Sequence, residues 1–151
     1  MNKEIYNKLL SKEIILYMNE KKAKPNKSII EHTDDLLEVL ELLFSLGYIK
    51  YEIYELVKIA CVYHDIGKIN GEFQKRIKNK KLKFNESKEI VHNILSLYFI
   101  DERKFENKEN YLVICNAVMK HHDYFDEGAT LREKSHMIEN LLSEFEHYNV
   151  K

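Results

Sequence analysis

Apolar residues recur three or four positions apart along most of the chain, which is the spacing of one face of an α-helix. The clearest helix begins at Ser28, where Ser28 and Glu31 match the S-x-x-E capping box that satisfies free backbone N–H groups. Apolar positions then keep helical spacing as far as Gly47, a residue suited to the left-handed position just after a helix. The pattern therefore predicts a well-defined helix between Ser28 and Gly47.

Six further segments carry apolar patterns that indicate regular structure. Residues 3–22 are helix-like in their first half, whereas the run from Ile14 to Met18 fits either a helix or a short strand. The remaining helices are predicted over 51–64, 72–79, 87–101 and 109–122, and from Thr130 onward. Ser87 is expected to start the segment 87–101, and Thr130 with Glu133 matches a second capping box.

Composition agrees with a helical protein. Glycine and proline together make up about 3% of the 151 residues, against about 12% in average proteins. This scarcity argues against a β-sandwich or barrel, which needs a turn every 8–12 residues. With 44% apolar and 32% charged residues the chain is typical of globular proteins. We therefore predict an all-α fold, a compact bundle of about six or seven helices.

Charge and targeting signals add little. The formal net charge is −1, so global charge gives no signal for nucleic acid or membranes. Cys61 and Cys115 lie in apolar helical patterns, as expected for free thiols in a reducing compartment. No run approaches 18 apolar residues, and the N-terminus lacks the apolar segment of a signal peptide. A cytoplasmic protein without membrane contact is expected.

Histidine is the unusual residue type, because the chain has seven histidines and only two cysteines. His136 and His147 fall on the polar face of the last predicted helix and are interpreted as ordinary surface residues. The other five belong to four predicted helices and lie on or beside their apolar stripes: His32, His64, His92, His121 and His122. A single histidine in such a position is usually a satisfied core or surface residue, but five on bundled helices can converge on one interior place.

Converging imidazoles point to metal chemistry. Buried imidazoles without partners would cost desolvation energy, whereas a metal ion takes up their lone pairs. Asp65, directly after His64, supplies negative charge, and its two oxygens can bridge two cations. Two metals about 3.5–4 Å apart can activate water and neutralise a phosphoryl oxygen. Nitrogen-rich ligation favours Mn, Fe, Co, Ni or Zn over Mg or Ca, so one or two divalent transition metals are predicted.

The order of these residues is similar to that of the HD superfamily of metal-dependent phosphohydrolases. The shared pattern is a histidine in a capped helix, His-Asp-x-Gly-Lys at 64–68, a third histidine, and a final histidine pair. The resemblance implies a bundle of the HD-domain type and a metal-dependent hydrolase.

More closely, the chain resembles the HD nuclease domain of the CRISPR type I interference helicase–nuclease. The similarity is carried by KPNKSIIEHTDDLL at 24–37, IACVYHDIGKINGEFQ at 59–74, VHNILSLYFI at 91–100 and AVMKHHDYF at 117–125. It implies an endonuclease or exonuclease that cleaves single-stranded DNA in antiviral defence. It also implies two partners, a CRISPR helicase domain and the RNA-guided surveillance complex.

The same resemblance assigns roles to individual residues. It implies that one metal is held by His32, His64 and Asp65, and that Asp65 bridges to a second metal held by His92, His121 and His122. Asp65 and Lys68 are the expected catalytic residues, with Lys68 on the scissile phosphate and a metal-activated water as nucleophile. From the residues alone, Lys68 is equally well read as a solvated lysine.

One part of the family pattern is not matched. The pattern has a late aspartate that completes the shell of the first metal. After His122 the chain offers Asp123 and Asp126, which stand too close to the histidine pair, and Glu139, on a helix face expected to be exposed. No helicase portion is present either. We expect the single domain 1–151 to be part of a longer helicase–nuclease, or a short version with a weakened first site.

A basic run after the His-Asp motif has six cations in nine positions. Lys75, Arg76 and Lys78 are the predicted substrate-binding residues, since cations can track a DNA backbone while Phe73 and Phe84 stack on bases. An ordinary solvated loop is the alternative.

Two other functions stay open on the same scaffold. One is hydrolysis of nucleotides or cyclic nucleotides, and the other is a catalytically weakened domain that binds a partner.

Overall fold

The computed structural model describes residues 3–122 and 127–148. Helices dominate these ranges, and the only strands in them are two short segments paired as an antiparallel hairpin. The prediction of an all-α bundle is therefore confirmed. No helix in the described ranges is both long and apolar enough to cross a membrane.

The elements follow one another along the chain with short connections. They are α1 (Lys3–Leu9), α2 (Lys12–Glu20), β1 (Lys22–Lys24), β2 (Lys27–Ser28), α3 (Ile29–Ser45), α4 (Tyr51–Tyr63), α5 (Gly71–Lys78), α6 (His92–Ser96), α7 (Lys108–Lys120), α8 (Glu127–Glu133) and α9 (Ser135–Leu142). Short 3₁₀ helices lie at Ile66–Ile69, Leu97–Phe99 and Glu102–Lys104.

The helix signals around α3 are confirmed. The Ser28 hydroxyl accepts from the N–H of Glu31 at 3.2 Å, and the Glu31 carboxylate accepts from the N–H of Ser28 at 2.6 Å. Gly47 has a φ of 79°, the left-handed conformation expected just after the helix. The capping box and the glycine therefore fix both ends of the helix that carries His32.

The described ranges contain nine α-helices rather than six or seven, because two predicted segments are interrupted. Ser11 divides the first segment, since its hydroxyl accepts from the N–H of Ile14 at 3.3 Å and caps α2. The ambiguous run from Ile14 to Met18 is consequently helical. The last segment divides at Lys134, between α8 and α9.

Two predicted helix starts are wrong. The helix expected from Ser87 begins only at His92, because the buried Glu89 carboxylate accepts from the N–H of Asn85 at 3.2 Å and organises the preceding residues as turns. The second capping box fails because Thr130 already lies inside α8.

Helix α6 is short but central to the fold. Every residue from Asn93 to Ser96 is fully buried, and the helix packs against the 3₁₀ turn Ile66–Ile69 and against α7. Helix α4 in turn packs against α3 and α7. The four helices that carry the predicted metal ligands, α3, α4, α6 and α7, thus share one interior region.

Candidate metal centre

A sharp turn after α4 presents His64 and Asp65. His64 is the last residue of the helical stretch, and its N–H donates to the carbonyl oxygen four residues earlier at 3.0 Å. Asp65 then begins the 3₁₀ helix, and its carbonyl oxygen accepts from the N–H of Lys68 at 3.0 Å. The turn therefore places the imidazole of His64, the carboxylate of Asp65 and the ammonium of Lys68 on one side.

Gly67 and Ser96 hold this turn against α6. A Cβ atom on Gly67 would overlap the carbonyl oxygen of His92 and lie 2.8 Å from the Ser96 nitrogen, so only glycine fits. The Ser96 hydroxyl accepts from the N–H of Gly67 at 2.8 Å and donates to the carbonyl oxygen of His64 at 3.0 Å. Because Ser96 lies one helical turn after His92, these bonds fix His92 relative to His64.

The two carboxylate oxygens of Asp65 face different histidines. Oδ2 lies 3.4 Å from Nε2 of His32 and 3.3 Å from Nε2 of His64. Oδ1 lies 3.0 Å from Nε2 of His92 and 3.7 Å from Nε2 of His121. Asp65 itself is buried. The carboxylate thus stands between two sets of nitrogen atoms, as a ligand shared by two cations would.

The histidine pair at the end of α7 completes the second set. Nε2 of His92 lies 3.3 Å from Nε2 of His121 and 3.0 Å from Nε2 of His122. Two groups of side chains can consequently hold a metal ion, with ligand atoms in each within 4.8 Å of one another. One consists of Asp65, His92, His121 and His122, and the other of His32, His64 and Asp65. All six predicted ligands come together.

Backbone carbonyls orient two of the imidazoles. Nδ1 of His64 donates to the carbonyl oxygen of Cys61 at 2.6 Å, and Nδ1 of His121 donates to that of Val118 at 2.6 Å. Because a carbonyl only accepts, the proton of each neutral ring is on Nδ1 and the lone pair on Nε2 points into the centre. Such outer hydrogen bonds are typical of metal-binding histidines.

The electrostatics keep the ligands in their binding forms. Burial raises the pKa of Asp65, but the close contacts of its carboxylate with the imidazoles of His121, His64 and His92 outweigh burial and hold this pKa well below its ordinary value. Burial lowers the pKa of His92 to about 4 and also lowers the pKa of His32 and His122. These three imidazoles are therefore neutral near neutral pH, which is the form in which histidine binds a metal.

The donor set fits divalent metals. The Nε2 lone pairs of His64 and His121 and the carboxylate of Asp65 are all acceptors aimed at one region, an arrangement that a cation stabilises. Nitrogen-rich ligands suit transition metals better than Mg or Ca.

Lys68 lies at the rim of the centre. Its ammonium donates to Oδ2 of Asp65 at 2.7 Å. It also lines a cleft of about 420 Å³, together with Phe73, Arg76, Phe84, His92 and His122 among others. Lys68 therefore connects the ligand cluster with a cavity that is open to a substrate.

The predicted substrate-binding residues are placed differently from one another. Arg76 lines the cleft beside the metal ligands. Lys75 is exposed, pairs with Glu72 at 2.6 Å, and lines a separate depression that also contains Lys83. Lys78 is exposed at the end of α5.

The remaining histidines and late acids lie outside the centre. His136 is 99% exposed and approaches Glu139, itself 73% exposed, at 4.0 Å. Nδ1 of His147 donates to the carbonyl oxygen of Phe145 at 3.0 Å. Glu139 accordingly supplies no ligand to the group formed by His32, His64 and Asp65. Asp123 and Asp126 lie outside the described residues.

Sequence reasoning missed the residues that support the turn. Ser96 is one of them, and Gln74 is another. The Gln74 amide donates to the carbonyl oxygens of Lys22 and Lys68, both at 2.8 Å, and accepts from the N–H of Lys22 at 3.0 Å. Gln74 thereby ties strand β1 to the 3₁₀ turn. The only signal was its position in the string HDIGKINGEFQ, which does not reveal its partners.

An all-α bundle holds the buried Asp65 and five half-buried histidines beside an open cleft, an arrangement expected of a metal-dependent hydrolase. The family model described as HD domain matches residues 29–143, and the chain belongs to this family. HD domains bind divalent metals, and both candidate ligand groups lie inside the matched residues. No curated protein and no solved structure matches the chain. The HD-superfamily resemblance is confirmed, while the closer resemblance to the CRISPR nuclease domain stays a prediction.

Proposed function

We propose that this HD domain is a metal-dependent phosphodiesterase that cleaves single-stranded DNA in CRISPR type I interference, in the cytoplasm. A helicase domain and the RNA-guided surveillance complex would deliver the strand. The observation that carries the phosphodiesterase part is the carboxylate of Asp65, with one oxygen toward His32 and His64 and the other toward His92 and His121. A carboxylate so placed can hold two metals together, and paired metals suit in-line attack on a phosphodiester.

The residues of the chain have distinct tasks in this proposal. Divalent metals, when bound, would supply a water-derived nucleophile and would neutralise charge on the phosphoryl oxygens. The five imidazoles would act as metal ligands, and Asp65 contributes a carboxylate to both groups. Lys68, which lines the cleft, contacts a phosphate oxygen of the substrate with its ammonium. No side chain has to attack the phosphorus atom.

Support for a nucleic-acid substrate comes from the cleft. Cationic side chains, Lys68 and Arg76, alternate there with the aromatic rings of Phe73 and Phe84. Cations that follow phosphates and rings that stack on bases are the usual combination for single strands. The volume of about 420 Å³ also favours a second candidate function, because single nucleotides bind in clefts of roughly 300–1,000 Å³. That candidate is a nucleotide or cyclic-nucleotide phosphohydrolase.

The decisive experiment incubates the purified full chain with circular single-stranded DNA and Mn, Ni or Co. We expect nicking of the circle, which has no ends, and no cleavage by a His64→Ala/Asp65→Ala variant or in excess chelator. His136→Ala, which removes an exposed imidazole, is the matched control and should keep activity. Intact DNA with hydrolysis of a nucleotide panel would replace the nuclease by the second candidate. No hydrolysis together with no bound metal would indicate a non-catalytic domain that binds a partner.

Metal content tests the ligand set separately. Elemental analysis should find one or two transition metals per chain. His92→Ala and His122→Ala should each lower that number, because both residues belong to the larger ligand group. His136→Ala is again the control. Full metal content in both ligand variants would contradict the assignment of these histidines.

A further inference from the structure

We propose that Arg76 and Phe84 form a stacking subsite for one unpaired nucleobase, next to the metal centre. The inference rests on the proposed function, because it assigns part of the cleft to the base that neighbours the scissile phosphate. The sequence already predicts that Phe84 stacks on a base, but it predicts that Arg76 follows the DNA backbone. The contacts of Arg76 carry the difference.

Alternating cations and rings lead outward from the ligand cluster. Lys68, which bonds Asp65, has its ammonium 5.6 Å from the ring centre of Phe73. The guanidinium of Arg76 lies 5.0 Å from the same ring and 5.8 Å from that of Phe84. These distances are within the cation–π range of about 6 Å. The four side chains therefore form one continuous wall of the cleft, from the metal ligands to the rim.

Glu89 fixes Arg76 and neutralises it. The Glu89 carboxylate, whose side chain is 7% exposed, accepts from Nε of Arg76 at 3.1 Å. Its other oxygen accepts from the N–H of Asn85, the residue after Phe84. One buried carboxylate thus positions both members of the subsite. Because the charge of Arg76 is already paired, its flat guanidinium is better suited to stacking than to attracting a phosphate.

The outer members of the wall offer free surface. Phe84 is 41% exposed and the Arg76 side chain is 31% exposed. Phe73 lies between Lys68 and Arg76, and its ring centre is 6.1 Å from that of His92. An incoming base can stack on Phe84 or Arg76 while its phosphate reaches Lys68. A paired base has its faces covered by its neighbours in the duplex, so the subsite requires an unpaired strand.

Binding without metal tests the subsite and prevents cleavage. Fluorescence anisotropy in chelator compares a labelled thymidine oligonucleotide with one of the same length in which every base is replaced by a tetrahydrofuran abasic unit. Both carry the same phosphates. We expect the thymidine strand to bind about 5- to 140-fold more tightly, the effect of one stacked base. Equal affinities of the wild-type protein for the two strands would overturn the proposal, and this comparison needs no variant.

Substitutions locate the effect. Phe84→Leu keeps an apolar side chain but removes the ring, and it should bring the two strands to within about threefold of each other. Tyr48→Ala removes an exposed ring between α3 and α4, and it should leave the preference unchanged. A Phe84→Leu protein that keeps the full preference would show that the base binds elsewhere.

Salt dependence separates stacking from phosphate contact at Arg76. On single strands, a plot of log affinity against log salt concentration becomes less steep by about 0.7 when one phosphate contact is lost. Such a loss weakens the binding of both oligonucleotides equally. Arg76→Ala should instead weaken only the thymidine strand and leave the slope unchanged. A slope change of about 0.7 for Arg76→Ala, with equal loss on both strands, would make Arg76 a backbone contact and overturn the proposal.

The two proposals can fail separately. A protein that nicks circular single-stranded DNA but binds both oligonucleotides equally supports the nuclease and refutes the subsite. A protein that hydrolyses no DNA but prefers the thymidine strand in a Phe84-dependent way supports the subsite and refutes the nuclease.

Discussion

Ser96→Ala tests whether the HD turn is held against α6 by the serine hydroxyl. Ser96 is fully buried, and its Oγ accepts from the N–H of Gly67 at 2.8 Å and donates to the carbonyl oxygen of His64 at 3.0 Å. The substitution removes one oxygen atom and its two hydrogen bonds, and it adds no bulk. Both backbone groups lose their hydroxyl partner.

The expected magnitude follows from that loss. A buried polar group left without its hydrogen bond costs about 1–3 kcal/mol, so the two groups together should cost about 2–6 kcal/mol. Unfolding free energies of such domains are about 5–15 kcal/mol, so the fraction lost is large. In a domain of this size, about 2–4 °C per kcal/mol gives a fall in melting temperature of roughly 4–24 °C.

Urea unfolding in chelator measures the free energy without a contribution from bound metal. Metal affinity, measured by titration calorimetry, should also fall by about 10- to 100-fold, because His64 and His92 lose their common support. Ser45→Ala is the matched control, since the Ser45 hydroxyl donates to the carbonyl oxygen of Leu42 at 2.8 Å at an exposed helix end. Its effect should stay within about 0.5 kcal/mol. If the free energy of unfolding of Ser96→Ala also lies within about 0.5 kcal/mol of the wild-type value, the reasoning is refuted.

Three further outcomes are expected. Gly67→Ala should lower the urea midpoint by the equivalent of about 1–3 kcal/mol because its Cβ has no room, whereas Gly71→Ala, with open space around its Cβ, should not lower it. Lys68→Ala should slow phosphodiester hydrolysis about 100-fold while elemental analysis finds its metal content unchanged. Burial and a hydrogen bond to Asp34 raise the pKa of Tyr6, so the unfolded chain ionises first and stability should fall as pH rises above about 10. Urea midpoints between about pH 9 and 11 should fall less in Tyr6→Phe, and an equal fall would contradict the assignment to Tyr6.

The sequence predicts helices best where the signal is local. The bonds that begin α3 join Ser28 to Glu31, and the turn after α3 needs only the left-handed φ of Gly47. The start expected at Ser87 is wrong for the opposite reason. Glu89 accepts from the N–H of Asn85, four residues away, but also from Nε of Arg76, thirteen residues away, so part of what holds the residues before α6 is not local.

The same distinction holds for the site. Five histidines on apolar stripes and one aspartate already indicate a common centre, because ligand chemistry limits which residue types can take part. The residue types of the supporting side chains do not indicate their role in this way. Ser96 and Gln74 act through bonds to the backbone of segments 29 and 52 residues away, and a serine or glutamine in a helix does not disclose such partners.

Lys68 differs from the other members of the centre, because an ammonium has no lone pair and cannot be a ligand. Its contact with Oδ2 of Asp65 at 2.7 Å instead competes with any cation bound to that oxygen, since the two positive charges repel. Removing Lys68 therefore removes a competitor for the carboxylate and leaves all the donor atoms in place. The cleft, however, loses the positive charge nearest to the ligand cluster. Unchanged metal content with slower hydrolysis is the combination that this electrostatic argument requires, whereas loss of metal would mean that Lys68 supports the turn itself.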